Sequence, residues 1–257
     1  MTRRYLMVAG GLARRLLDSF ISTPALFLPP MLMPLFFFVA FAGGLSAVTE
    51  TPGFDYPGGY TAFEFGFVLL QAAAFGGVFT GFSIAADFQF GFGRRLLLAT
   101  PHRSALILGY GLLAFVRAAL TLAVVTAVAL AAGMNVGANP AELAAMYSLA
   151  AVVNAAGALF AAGVALRFRS LQATPLMMVP TFLFLFLAPV YVPRDLLGGW
   201  VHTASGFDPA TAIMETAREL LAGQPADYLG ALAIGLGLAA ALGVFAIRGL
   251  RKAEAAG

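Results

Sequence analysis

The chain has 257 residues, 61% hydrophobic and 11% charged, with a mean hydropathy of +0.90 and a formal net charge of +3. Soluble domains carry about 25% charged residues, so that class is excluded, and the length suits one compact membrane unit of several spans. The absence of cysteine excludes a disulfide framework, a thiolate zinc site and a cysteine nucleophile.

Projected on a helical wheel, residues 3–20 place Arg3, Arg4, Arg14, Arg15 and Asp18 on one side and Tyr5, Leu6, Ala9, Leu12, Leu16 and Phe20 on the other. This basic amphipathic pattern predicts an interfacial helix over residues 1–22. With arginines at both ends and no apolar run before a small-residue cleavage site, it does not read as a cleavable signal peptide.

Six apolar segments follow, approximately 25–44, 63–86, 105–131, 143–166, 173–192 and 228–247. Each is long enough for a hydrocarbon core that takes about 20 helical residues. Pro24, Pro29, Pro30 and Pro34 predict a kinked or irregular start to the first. Small residues such as Ala151, Ala155, Gly157 and Gly163 in the fourth, and Gly235, Ala239 and Gly243 in the sixth, permit close helix approach.

Between the second and third segments, residues 87–103 form a short polar interruption with Arg94, Arg95 and Arg103, a helix-sized run over 88–99, and Pro101 to stop it. This composition predicts a small helix at the membrane surface, built to touch something else. The loop 193–227 carries a second amphipathic helix. Asp208 is its N-cap and Pro209 its first residue; Ile213, Ala217, Leu220 and Leu221 form its apolar stripe, and Gly223 and Pro225 its stop. Glu215 and Glu219 are expected on a solvated face. Leu196, Leu197 and Trp200 read as another interfacial piece.

Charge sets the orientation. With the N-terminus inside, twelve of the fifteen basic residues are cytoplasmic, and the outer loops hold only Arg194 and Arg218. Both termini are therefore expected in the cytoplasm, the second as a tail over 248–257. Fourteen of the fifteen are arginine, which with abundant alanine and glycine fits a GC-rich bacterial genome and its cytoplasmic membrane.

Catalytic chemistry is not evident. His102 and His202 fall on opposite sides of the membrane, carboxylates do not cluster, and no base accompanies a serine. A Walker A loop needs a Gly-Lys pair, and the single lysine, Lys252, follows Arg251. No soluble basic surface for nucleic acid is present. Within the spans, Gln71, Arg117 and Asn154 are the polar groups to explain, either as part of a translocation path or as inter-helix contacts. Arg117 is expected to pair with another span or to snorkel toward the inner surface. Phe65, Phe67, Phe75, Phe79 and Phe82 offer an aromatic lining or a lipid-facing surface.

Three stretches carry a family resemblance: the arginine-leucine run with Thr100-Pro101-His102-Arg103 and Ile107-Leu108-Gly109; Pro189-Val-Tyr-Val-Pro193 with Leu196, Leu197 and Trp200; and Phe207-Asp208-Pro209 continuing through Glu215, Arg218 and Gly223. Their order resembles the membrane subunit of type-2 ABC exporters, which include daunorubicin-resistance and nodulation-factor permeases. Asp208 stands where asparagine is usual, and both cap a helix. The resemblance implies an all-α polytopic fold of six spans forming one transmembrane domain over 1–257, with spans one to five over 25–192. It implies pairing with an identical or paralogous permease and docking of two copies of an ABC ATPase that bind the ATP and Mg; this chain itself is expected to bind no cofactor or metal. Residues 87–103 become the coupling helix, with Asp87, Phe90, Arg94, Arg95 and Arg103 as ATPase contacts, and an amphipathic drug-like or lipid-like molecule becomes the exported substrate. The alternative reading is a stand-alone secondary transporter or channel.

Overall fold

The computed structural model describes residues 2–100 and 102–255. Pro101, the expected stop of the cytoplasmic helix, residues 256–257 of the tail, and the side chains of Arg3 and Pro24 lie outside the described residues. The described residues form ten α-helices: α1 (Thr2–Ser22), α2 (Pro24–Gly44), α3 (Gly59–Gln89), α4 (Phe92–Ala99), α5 (Ser104–Ala131), α6 (Pro140–Phe168), α7 (Thr174–Leu187), α8 (Gly199–Ser205), α9 (Pro209–Leu221) and α10 (Tyr228–Ala255). No strand occurs among them.

Four helices, α3, α5, α6 and α10, are long and apolar enough to cross a membrane. The first and fifth expected spans are shorter apolar helices. In α2 the helix runs unbroken through Pro29, Pro30 and Pro34, where a kinked or irregular start was expected. α7 has 14 residues, ~21 Å of helix against a hydrocarbon core of about 30 Å. It ends five residues before the expected Val192 because Pro189 forces the preceding residue out of the helical region; Ala188 has φ −67° and ψ 159°.

α3 is the centre of the bundle, buried along most of its length and packed chiefly on α6, which in turn packs on α10. The α3–α6 crossing is made by small residues. A Cβ on Gly157 would lie 2.6 Å from the Ala74 carbonyl oxygen, and one on Gly77 would strike that of Asn154. At the α6–α10 contact a Cβ on Gly249 would meet the Gly163 carbonyl oxygen at 2.8 Å. Within the bilayer such close backbone approach supplies the dispersion contacts that water exclusion supplies in a soluble protein.

The aromatic run of α3 is turned mainly into the bundle. Phe65, Phe67 and Phe75 are fully buried, Phe67 against Phe186, Phe75 against Phe182 and Phe65 against Phe38. α3 is thereby fastened to α2 and α7, with Phe79 and Phe82 partly buried at the edge of the same cluster.

Candidate functional site

The polar residues singled out in the sequence occupy three separate places. At one end of the bundle, α3 turns into α4 through Gly91, whose φ of +83° favours glycine. α4 buries Gly93 and Leu97 and turns Arg94, Arg95 and Leu98 outward. Phe90 and Leu98 are 76% and 80% exposed, so the outward face combines two apolar side chains with two guanidinium groups. Phe92 receives the Arg15 guanidinium 3.7 Å from its ring centroid.

Asp87 does not belong to that outward face. It accepts two hydrogen bonds of 3.2 Å from Arg15 of α1 and one of 2.5 Å from the Tyr110 hydroxyl of α5. Arg103 forms an ion pair of 3.4 Å with Glu254 near the end of α10. Beside it, the last turn of α4, the first of α5 and the end of α10 enclose a polar cleft of about 690 Å³ that includes His102, Arg103 and Arg251. α1 packs along α5: Gly109 is held so close that a Cβ would meet the Ala9 carbonyl oxygen at 2.9 Å, and Leu12, Leu16 and Phe20 are buried.

Inside the bundle, Asn154 donates from Nδ2 to the Ala73 carbonyl oxygen at 2.9 Å, tying α6 to α3. Gln71 is fully buried, and neither of its side-chain polar atoms is hydrogen-bonded among the described residues. Arg117 lies two turns along α5 from Tyr110, is buried, and sets its guanidinium 5.2 Å from the Phe20 ring centroid. Its Nε and Nη1 have no hydrogen-bond acceptor among the described residues.

At the opposite end, Asp208 caps α9 by accepting from the Ala210 amide at 3.1 Å, with Pro209 as first helical residue. The expected stripe of Ile213, Ala217, Leu220 and Leu221 is buried, but so are Thr211, Met214, Thr216 and Arg218. α9 is inserted among α3, α6, α7 and α10, and Glu215 and Glu219 are half-buried where a solvated face was expected. Burial raises the Glu215 carboxyl above its ordinary value.

Arg218 is the organising residue here. Nε donates to the Phe63 carbonyl oxygen at 2.9 Å, Nη1 to that of Pro189 at 2.8 Å and Nη2 to that of Val190 at 3.0 Å. Its guanidinium stacks 3.5 Å from the Phe63 ring centroid. The carbonyls left free where α7 stops are therefore satisfied by one buried side chain, as a non-aqueous surrounding requires. Burial lowers the guanidinium to about 10, while the buried Glu64 favours its charged form. Tyr56 closes the cluster by donating to the Arg218 carbonyl oxygen at 2.7 Å.

The ABC-2 type transporter family model matches residues 6–222. The chain belongs to the ABC-2 type transporter family. It is a multi-pass membrane protein and a permease subunit of an ABC transporter. The match takes in the α1–α3–α4–α5 junction and all of α9, including Arg218. No curated protein and no solved structure matches the chain.

Arg15, Tyr110 and Glu254 carry no local signal as partners of Asp87 and Arg103. Gly77 does, through the four-residue spacing of small side chains Ala73, Gly77 and Gly81.

Proposed function

We propose that this ABC-2 chain is the permease of an ATP-driven exporter in the bacterial cytoplasmic membrane, with both termini in the cytoplasm. Two such subunits, identical or paralogous, pair, and two copies of a separate ABC ATPase dock on the cytoplasmic face and bind the ATP and Mg. The observation that carries this reading is the outward face of α4. Phe90, Arg94, Arg95 and Leu98 stand exposed on a short helix joining the buried α3 to α5, so a push on α4 reaches the centre of the bundle through one glycine turn. Arg103, on the rim of the adjoining cleft, extends the contact.

Asp87 supports this surface from behind by holding α1 against α3 and α5. The cargo is an amphipathic molecule. The buried aromatic cluster between α3 and α7 becomes accessible to it only when closure of the motor subunits tilts α3 and α5 and parts these helices. Co-expression with a candidate ABC ATPase tests the partner: stable co-purification and ATP-dependent export from reconstituted vesicles are expected. Transport that persists without any ATPase would instead mark a secondary transporter or channel, and vesicles moving only hydrophilic solutes would exclude an amphipathic cargo.

A further inference from the structure

α7 and α10 scarcely touch one another. α9 contacts both, and the start of α9, Pro209, Ala210 and Ile213, roofs the gap between them. The floor is made of small residues on the central helices, Ala74, Ala156 and Gly157, together with Gly235 of α10. The resulting cavity is about 210 Å³. Its mouth is open: Phe184 is exposed, and Pro180, Leu238 and Leu242 are partly so, whereas Leu70, Ala156 and Leu185 behind them are buried.

The lining restricts the occupant. The one polar side chain, Thr181, already donates its hydroxyl to the Met177 carbonyl oxygen at 2.9 Å, so the walls offer no free donor from a side chain. Water needs two to four polar partners to occupy such a site, and a ligand headgroup would lose its hydration uncompensated. An empty gap of this size forfeits dispersion contacts on every wall. The volume suits a segment of one chain with the remainder left in the bilayer. The mouth lies beside Gly235–Leu242, which begins ~10 Å along α10 from Tyr228, at the depth of a phospholipid tail entering from the end that carries α8 and α9.

We propose that the cleft between α7 and α10 is a binding site for one acyl chain of a bilayer phospholipid, which completes the packing that the short α7 leaves open. This site is independent of the cargo and of the ATPase.

The test is photolabelling of the full chain in vesicles of phosphatidylethanolamine and phosphatidylglycerol containing a few per cent of a phospholipid with a diazirine in one acyl chain. Labelled residues are identified by mass spectrometry. Val153 and Phe160 of α6, which the bilayer reaches through the cleft, are expected to be labelled as strongly as Val244, an exposed residue elsewhere on α10. Ala156→Leu from the floor and Ala210→Leu from the roof are each expected to cut the α6 labelling several-fold and leave Val244 unchanged. The Val244 signal shows that each variant is inserted, and Ala210→Leu keeps the test decisive if Ala156→Leu does not fold. Labelling confined to Val244 and similar exposed residues, or α6 labelling unchanged by both variants, would overturn the proposal. So would α6 labelling by a diazirine fatty acid alone and not by the phospholipid.

Discussion

Arg15 and Asp87, 72 residues apart, are joined by two hydrogen bonds of 3.2 Å, and the same carboxylate accepts from Tyr110. One residue thus fastens α1, α3 and α5 together directly behind α4. The Arg15 side chain is 46% exposed, so the pair contributes little more than about 1 kcal/mol, and its importance is positional. Asp87→Asn is expected to loosen α1, seen as faster amide exchange over residues 9–20 with a small fall in thermal midpoint. The swap Arg15→Asp with Asp87→Arg is expected to restore much of the protection. Exchange unchanged in Asp87→Asn would remove the joint from the account.

The Arg218 cluster predicts a larger effect. Arg218→Ala leaves the buried Pro189 and Val190 carbonyls without their donor. At about 1–3 kcal/mol for each orphaned acceptor, the expected loss is roughly 2–6 kcal/mol, read as a collapse of monodisperse yield in detergent. Arg218→Lys is expected to recover only part, since an ammonium cannot reproduce the three-way planar fork. Wild-type stability in Arg218→Ala would contradict the role assigned to this residue.

Two glycine substitutions form a matched pair. Gly77→Ala drives a methyl group into the backbone of Asn154, so overpacking of at least about 1–3 kcal/mol is expected. Gly237→Ala meets nothing within 4 Å and removes a poor helix former, so its expected effect is neutral to about 1 kcal/mol stabilising. Thermal unfolding of the two variants side by side checks both signs.

Much of this architecture can be read along the chain. Asp208-Pro209 starts α9 as capping chemistry dictates, and the arginine pair sits on a short exposed helix because its apolar partners Gly93 and Leu97 turn inward. Pairings across the bundle were not readable. Periodicity identifies a charged residue on a helix face but not the partner it meets, so Glu215 and Glu219 looked solvated, and nothing in the pattern joined Arg218 to the carbonyls of Phe63, Pro189 and Val190. Asp87 was misplaced for the same reason: a carboxylate beside an arginine-rich turn looks outward until Arg15 and Tyr110 are seen to enclose it. The end of α7 was the avoidable miss, since the residue before Pro189 is steered out of the helix by local sterics alone.

The central claim is that the outward face of α4 receives an ATPase. Arg94 and Arg95 are exposed and make no hydrogen bond or ion pair among the described residues, so Arg94→Glu with Arg95→Glu is expected to leave insertion and folding intact. The measurement is ATP-dependent transport and transport-stimulated ATP hydrolysis in vesicles holding this double variant and its ABC ATPase. The account predicts at least a tenfold loss of both with unchanged permease yield, about 1.4 kcal/mol of docking or coupling energy. Full coupling in the double variant would contradict it.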